Sequence, residues 1–198
     1  MILALVAPET GATPATGGGA QHMDLGSGGH GRIVASEAFE RTAKLIDRLA
    51  YATETDEIFT AIVDEIIGGL SAQHAGAFLI DDADHRLHIV AHRDLPELTV
   101  DVFPLDLDIE VPLTDAARNG APVWIDSRDM RDRWYPRLRG SPIAVGSSAL
   151  LPMPYEGRTI GVLAVGFEGD HQFAETERSF CTLLASLAGL AAGPRLKR

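Results

Sequence analysis

The sequence predicts an α+β domain built on a mostly antiparallel sheet, and three observations predict it. Helical apolar stripes open the chain over residues 39–70. Two paired runs of strand pattern follow, over 75–92 and 147–167. A last helical stripe, over 173–192, closes it. Helices segregated from a hairpin-rich sheet define this class, and 198 residues suit one domain with a tail.

The elements follow in order. Residues 1–32 are rich in Gly, Ala, Thr and Pro and carry no apolar period. So little surface could be buried against the ordering entropy that a flexible tail is expected there. Its glycines make no phosphate loop, because no apolar strand precedes them and no Gly-Lys-Ser/Thr follows. From Ser36, where a domain reaching residue 196 begins, Phe39, Ala43, Ile46 and Ala50 recur at helical spacing, widened by Leu45 and Leu49. Thr53 and Asp56 resemble a capping box opening a second helix, lined by Ile58, Ile62, Ile66 and Leu70 and ended by Gly68 and Gly69.

In the first hairpin, strand alternation puts Leu87, Ile89 and Ala91 on one face and His88, Val90 and His92 on the other. Residues 94–112, rich in Pro and Asp, read as irregular. A short helix starts near Thr114 or Asp115 and stops at Gly120, and a short strand with Trp124 follows. Residues 126–145 form a long Pro-bounded segment of the kind that is functional or mobile. The second hairpin turns at Gly157, and Gly161 and Gly166 inside its return strand imply a bend or a close approach. Phe173, Phe180, Leu183, Leu184, Leu187 and Leu190 mark the closing helix.

Composition removes several functions. A net charge of −11 with dispersed basic residues opposes nucleic-acid binding, which needs clustered Lys and Arg. The one Arg-rich run, 128–139, is interrupted by Asp129 and Asp132 and reads as a solvated helix face. A single cysteine excludes a disulfide framework and multi-Cys metal sites, and agrees with a cytoplasmic setting. No uninterrupted apolar run reaches the roughly 18 residues of a membrane span.

Three segments together carry a family resemblance: "IEVPLTDAARNGAPVWID", "SSALLPMPYEGRTIGVLAVGF" and "FAETERSFCTLLASLAGLAA". In this order and spacing the chain resembles the GAF domain family, most nearly the GAF domains of PP2C-type phosphatases and histidine kinases. The resemblance implies a central sheet with the terminal helices on one face and a pocket-forming insert on the other. The second hairpin would be apolar on both faces because both are covered.

The aromatic residues Trp124, Trp134 and Tyr135 are the leading pocket candidates, since they offer large apolar contact with a polar handle. Phe78, Ser148, Leu150 and Met153 are further candidates, as are His88 and His92. The two histidines lie about 13 Å apart along one strand face by the rise per residue. That is too far for one metal ion, so no metal site is expected; either could touch a ligand or bind haem axially, and the cofactor stays unspecified. Cys181 reads as a small buried hydrophobe. Family members that attach a bilin place a Cys elsewhere, and those that reduce free methionine sulfoxide use several. Of the cyclic-nucleotide signature only Phe173 and Glu177 find an echo. Ser147 or Ser148 lacks the elbow of a hydrolase nucleophile, and Asp81 with Asp82, or Asp106 with Asp108, fall in solvated turns.

No catalytic residue is therefore expected. The expectation is a non-enzymatic sensory module that binds a small molecule or a protein partner. It would pair as a homodimer through its terminal helices and relay the signal to an output protein or domain. The alternatives are a redox or hydrolytic enzyme on the same fold, and an interaction domain without a small ligand.

Overall fold

The computed structural model describes residues 33–141 and 146–196. The expected tail over 1–32 and the end of the 126–145 segment lie outside the described residues. Helices α1 (Ala35–Tyr51) and α2 (Thr55–Leu70) lead into strands β1 (His74–Asp81) and β2 (Arg86–Arg93). Then come the single-turn helix α3 (Glu97–Val100), β3 (Leu105–Asp106), α4 (Pro112–Asn119), β4 (Val123–Ile125) and α5 (Arg128–Trp134). The hairpin β5 (Ser147–Tyr155) and β6 (Arg158–Phe167) and the long helix α6 (Glu175–Leu196) complete the chain. The six strands lie in the order β3-β2-β1-β6-β5-β4, with each neighbouring pair antiparallel.

The β5–β6 turn is the two-residue loop Glu156-Gly157, between the paired residues Tyr155 and Arg158. Both loop residues have positive φ, 47° and 77°. This is the geometry whose twist matches that of the flanking strands.

Side chains alternate along the hairpin into two separate cores. Ala149, Leu151, Met153, Leu163 and Val165 join a cluster with α1, α2 and α6. Leu150 and Val162 join Phe78, Leu87 and Leu105 on the opposite face. Each fully buried Leu or Val contributes about 1.5–3 kcal/mol relative to exposure, so the doubly covered ribbon supplies a large share of the folding drive.

Several elements differ from their sequence reading for definable reasons. In β2 the register passes from Ala77↔Ala91 to Phe78↔Ile89, skipping Val90. The extra residue is a bulge, and it reverses the facing of everything beyond it. Leu87 and Ile89 therefore pack on one face and Ala91 on the helical face, and His88 and His92 do not share a face. In α1 the buried stripe is Thr42, Leu45 and Leu49. Thr42 tolerates burial because its hydroxyl donates to the Ala38 carbonyl at 2.7 Å. Phe39 and Ile46 point outward, 76% and 48% exposed. The box at α2 lies one residue later than expected: Glu57 Oε2 accepts from the Glu54 amide at 3.3 Å and from the Thr53 amide at 2.8 Å. Those amides hold the Glu57 carboxyl below its ordinary range. Helix α2 runs through Gly68 and Gly69 and stops at Ser71, φ 52°. Pro112 opens α4 two residues earlier than Thr114.

Helix α6 is long and apolar enough to cross a membrane by length and composition, and 44% of its most apolar stretch is buried inside the fold. Phe180, Cys181, Leu184, Ala188 and Ala192 form its buried side, while Leu183 and Leu190 face outward.

Candidate functional site

On the sheet face away from the long helices lies a cavity of about 190 Å³. Its floor is Phe78 from β1, Ser148 and Leu150 from β5, and Ala164 and Gly166 from β6. Its cover is the 95–113 segment: Leu95, Thr99, Val102 and Phe103, then Val111, Pro112 and Leu113 at the start of α4. Phe103 reaches the floor by stacking on Phe78, with ring centroids 4.8 Å apart. The cover is thus pinned to the sheet by apolar side chains within a stretch whose Pro and Asp content reads as loop. Leu95, Val102, Phe103 and Leu105 were the available signal for it.

The lining is apolar except for His74, Thr99, Ser148 and Arg131. The His74 Nδ1–H donates to the Asp94 carbonyl, which ties β1 to the start of the cover. Arg131, on α5, is only 3% exposed. Its Nε and Nη2 donate to Asp132 Oδ1, at 2.8 and 2.5 Å. The Arg-rich run is therefore not uniformly a solvated face: Arg128, Arg133, Arg137 and Arg139 are exposed, and Arg131 turns inward.

Of the residues expected at a pocket, Phe78, Ser148 and Leu150 line this cavity. The others lie elsewhere. Trp124 packs edge-on against Phe173 at 5.2 Å, with the Arg178 guanidinium 4.7 Å from its ring. Arg178 also reaches Asp126, so Trp124 fastens α6 to β4. The Tyr135 hydroxyl donates to Asp115 Oδ2 at 2.8 Å. Burial, then the bonded carboxylate, push its phenol well above the usual range. Trp134, the last residue of α5, is 55% exposed. Met153 is fully buried in the helical-side core, as alternation from Leu150 requires.

His92 is exposed. His88 pairs with Asp84 at 3.0 Å beside a second, polar depression bounded by Arg158 and Gly193. There Asp81, Asp84 and His88 each bring one potential ligand atom within 4.8 Å of the others. His85 instead faces Asp108 at 3.4 Å. Cys181 is buried, and desolvation, followed by the charge of Glu177, pushes its thiol far above its ordinary value. Glu177 is itself buried, accepting from the Ala174 amide at 2.8 Å and meeting His171 at 3.2 Å.

This architecture is a six-stranded antiparallel sheet with the long helices on one face and a covered cavity on the other, an α+β module. Residues 52–191 match the GAF domain family model, and the chain belongs to that family. No curated protein sequence matches the chain. Among solved structures it is similar to the GAF domain of an Acinetobacter phosphoenolpyruvate-protein phosphotransferase, with a TM-score of 0.71 at 14% identity, covering 83% of this chain and 97% of that one. It is also similar to free methionine-R-sulfoxide reductase from Neisseria meningitidis in complex with its substrate, TM-score 0.66, 17% identity, covering 82% and 92%. A third similar structure is residues 122 to 287 of a methyl-accepting chemotaxis protein, TM-score 0.59, 20% identity, covering 76% and 95%.

The second of these corrects the expectation that the chain is not an enzyme. The fold is shared with a reductase as well as with signalling proteins, so the fold does not exclude catalysis. At these identities the likeness shows the fold alone and assigns neither role.

Proposed function

We propose that the chain is a small-molecule-sensing GAF domain of the cytoplasm. Its ligand sits in the cavity between the sheet and the 95–113 cover. One observation carries this: a largely apolar space of about 190 Å³ beneath a cover held by apolar contacts such as Phe103 on Phe78. An apolar cavity of about 150 Å³ is enough to hold a benzene molecule, so the space suits a compound of one ring or similar bulk. Thermal-shift measurements on a panel of single-ring compounds test this. Several are expected to raise the melting temperature, and Ala164→Leu, which grows into the cavity, is expected to abolish the shifts. A panel with no stabilising compound would favour the second reading, an interaction domain with a permanently self-filled pocket.

The signal's exit is proposed to be the outer face of the terminal helices. Phe39 and Ile46 on α1 and Leu183 and Leu190 on α6 are 44–76% exposed. Exposed apolar residues concentrated on paired helices are the expected mark of an association surface, here a two-fold homodimer or an output partner. Light scattering after size exclusion is expected to show a dimer for the wild type and a monomer for Phe39→Glu combined with Leu190→Glu. A monomeric wild type at all accessible concentrations would remove the dimer and leave an output partner as the occupant.

A further inference from the structure

Resting on the cavity reading above, we infer that the ligand is an uncharged, hydrocarbon-like molecule of one substituted ring. It is held by apolar contact with Phe78 and Leu150 on the floor and with Leu95 and Phe103 on the cover, and by no ion pair. Three observations support this.

The first is that the lining neutralises no charge of either sign. Among the described residues around the cavity none is Asp or Glu, so a cation meets no counter-charge there. The arginine of the lining, Arg131, has its Nε and Nη2 bonded to Asp132 Oδ1 and is engaged in a further interaction besides. Recruiting it for an anion would take the partner from Asp132, a loss that offsets what the anion gains. In a chain of net charge −11 the long-range field does not favour an anion either. An ionised group would give up its water on entry and receive nothing of equal strength.

The second observation is how the other polar side chains are used. The His74 Nδ1–H donates to the Asp94 carbonyl, and Thr99 is engaged as well. What remains is the Ser148 hydroxyl and the second His74 nitrogen, in a lining whose surface is almost wholly apolar. A hydroxyl on the ligand would exchange full hydration for at most one bond to these groups. A methyl in the same place gains by leaving water.

The third is fit. An apolar cavity of about 150 Å³ holds benzene, and the space here is about 190 Å³. The difference leaves room for a small alkyl substituent. Phe78 and Phe103, stacked with ring centroids 4.8 Å apart, present aromatic surface to a ring, and Leu95, Leu113 and Leu150 supply aliphatic surface around it.

Calorimetric titration of the wild-type protein at neutral pH tests the inference with two pairs of probes of matched bulk. Toluene is paired with phenol, and ethylbenzene with benzoate. Toluene is expected to bind in a saturable manner and phenol about tenfold or more weakly. Benzoate is expected to bind at least about a hundredfold more weakly than ethylbenzene. Methyl resonances of Leu150 and Ala164 locate each bound probe in the wild type, so the outcome depends on no variant folding. Phenol or benzoate binding there as tightly as its hydrocarbon counterpart would overturn the ligand class and leave the cavity reading standing. No saturable shift of those resonances with any of the four probes would remove both.

Discussion

Gly189→Ala is expected to destabilise the domain by about 2 kcal/mol, although alanine is the better helix former. A Cβ at Gly189 would run into the backbone of Pro154, at its O, C and N atoms. A backbone cannot rotate aside as the end of a side chain can. Overpacking of this kind costs about 1–3 kcal/mol and occasionally more. The helix-propensity gain of about 1 kcal/mol returns only part of it. For a chain of this length the net loss corresponds to a fall of about 6 °C in melting temperature. Gly68→Ala is the matched control. Gly68 also lies in a helix, but its Cβ would meet only the end of the Arg41 side chain at 3.4 Å, so that substitution is expected to stabilise by up to about 1 kcal/mol. Urea denaturation of the two variants, with m unchanged, distinguishes close packing of α6 on β5 from a general intolerance of change. Equal effects of the same sign would contradict the close approach.

The second large effect separates the two faces of the hairpin using neighbouring leucines. Leu151 is 1% exposed in the helical-side core and Leu150 is 6% exposed at the cavity. Truncating Leu151 opens a void in packed surroundings, at the upper part of the Leu→Ala range, about 4 kcal/mol. Truncating Leu150 enlarges a space that already exists, so fewer contacts are lost and about 2 kcal/mol is expected. The functional consequences run the other way. Leu150→Ala is expected to shift the cavity's preference toward bulkier ligands, and Leu151→Ala to leave that preference unchanged among molecules still folded. Denaturant titrations and ligand-induced melting shifts on the same two variants check both halves.

What was readable in the sequence and what was not follows from the range of the interactions involved. Helices α1, α2, α4 and α6 and the two hairpins were legible, because periodicity and turn residues are local, whereas the single-turn α3 lies in a stretch that reads as irregular and α5 in one that reads as a long loop. The helical face of α1 was not legible. Phe39–Ile46 and Thr42–Leu45–Leu49 both keep helical spacing, and the decision rests on packing against α2, with Thr42 made acceptable by its bond to Ala38. The bulge at Val90 was also invisible: one unpaired residue leaves no mark in an alternating pattern, yet it separates the facing of His88 from that of His92.

The candidate site was legible on its floor and not on its cover. Phe78, Ser148 and Leu150 belong to regular strands, where alternation fixes the facing. Trp124, Trp134 and Tyr135 carried the right chemistry without the right position. Two of them are held by partners distant in sequence, Phe173 and Asp115, and Trp134 is left exposed. Arg131 was hidden among other arginines. Its inward turn depends on how the seven-residue helix α5 sits against the cavity, which no spacing within the run encodes.

Methyl NMR of the wild-type domain in the presence of benzene tests most directly whether the ribbon is a wall with a ligand space on one side. Resonances of Leu150, Ala164 and Leu95 are expected to shift in a saturable manner, while those of Leu151, Leu163 and Leu184 stay in place. Saturable shifts confined to the helical side, or none on either face, would contradict it.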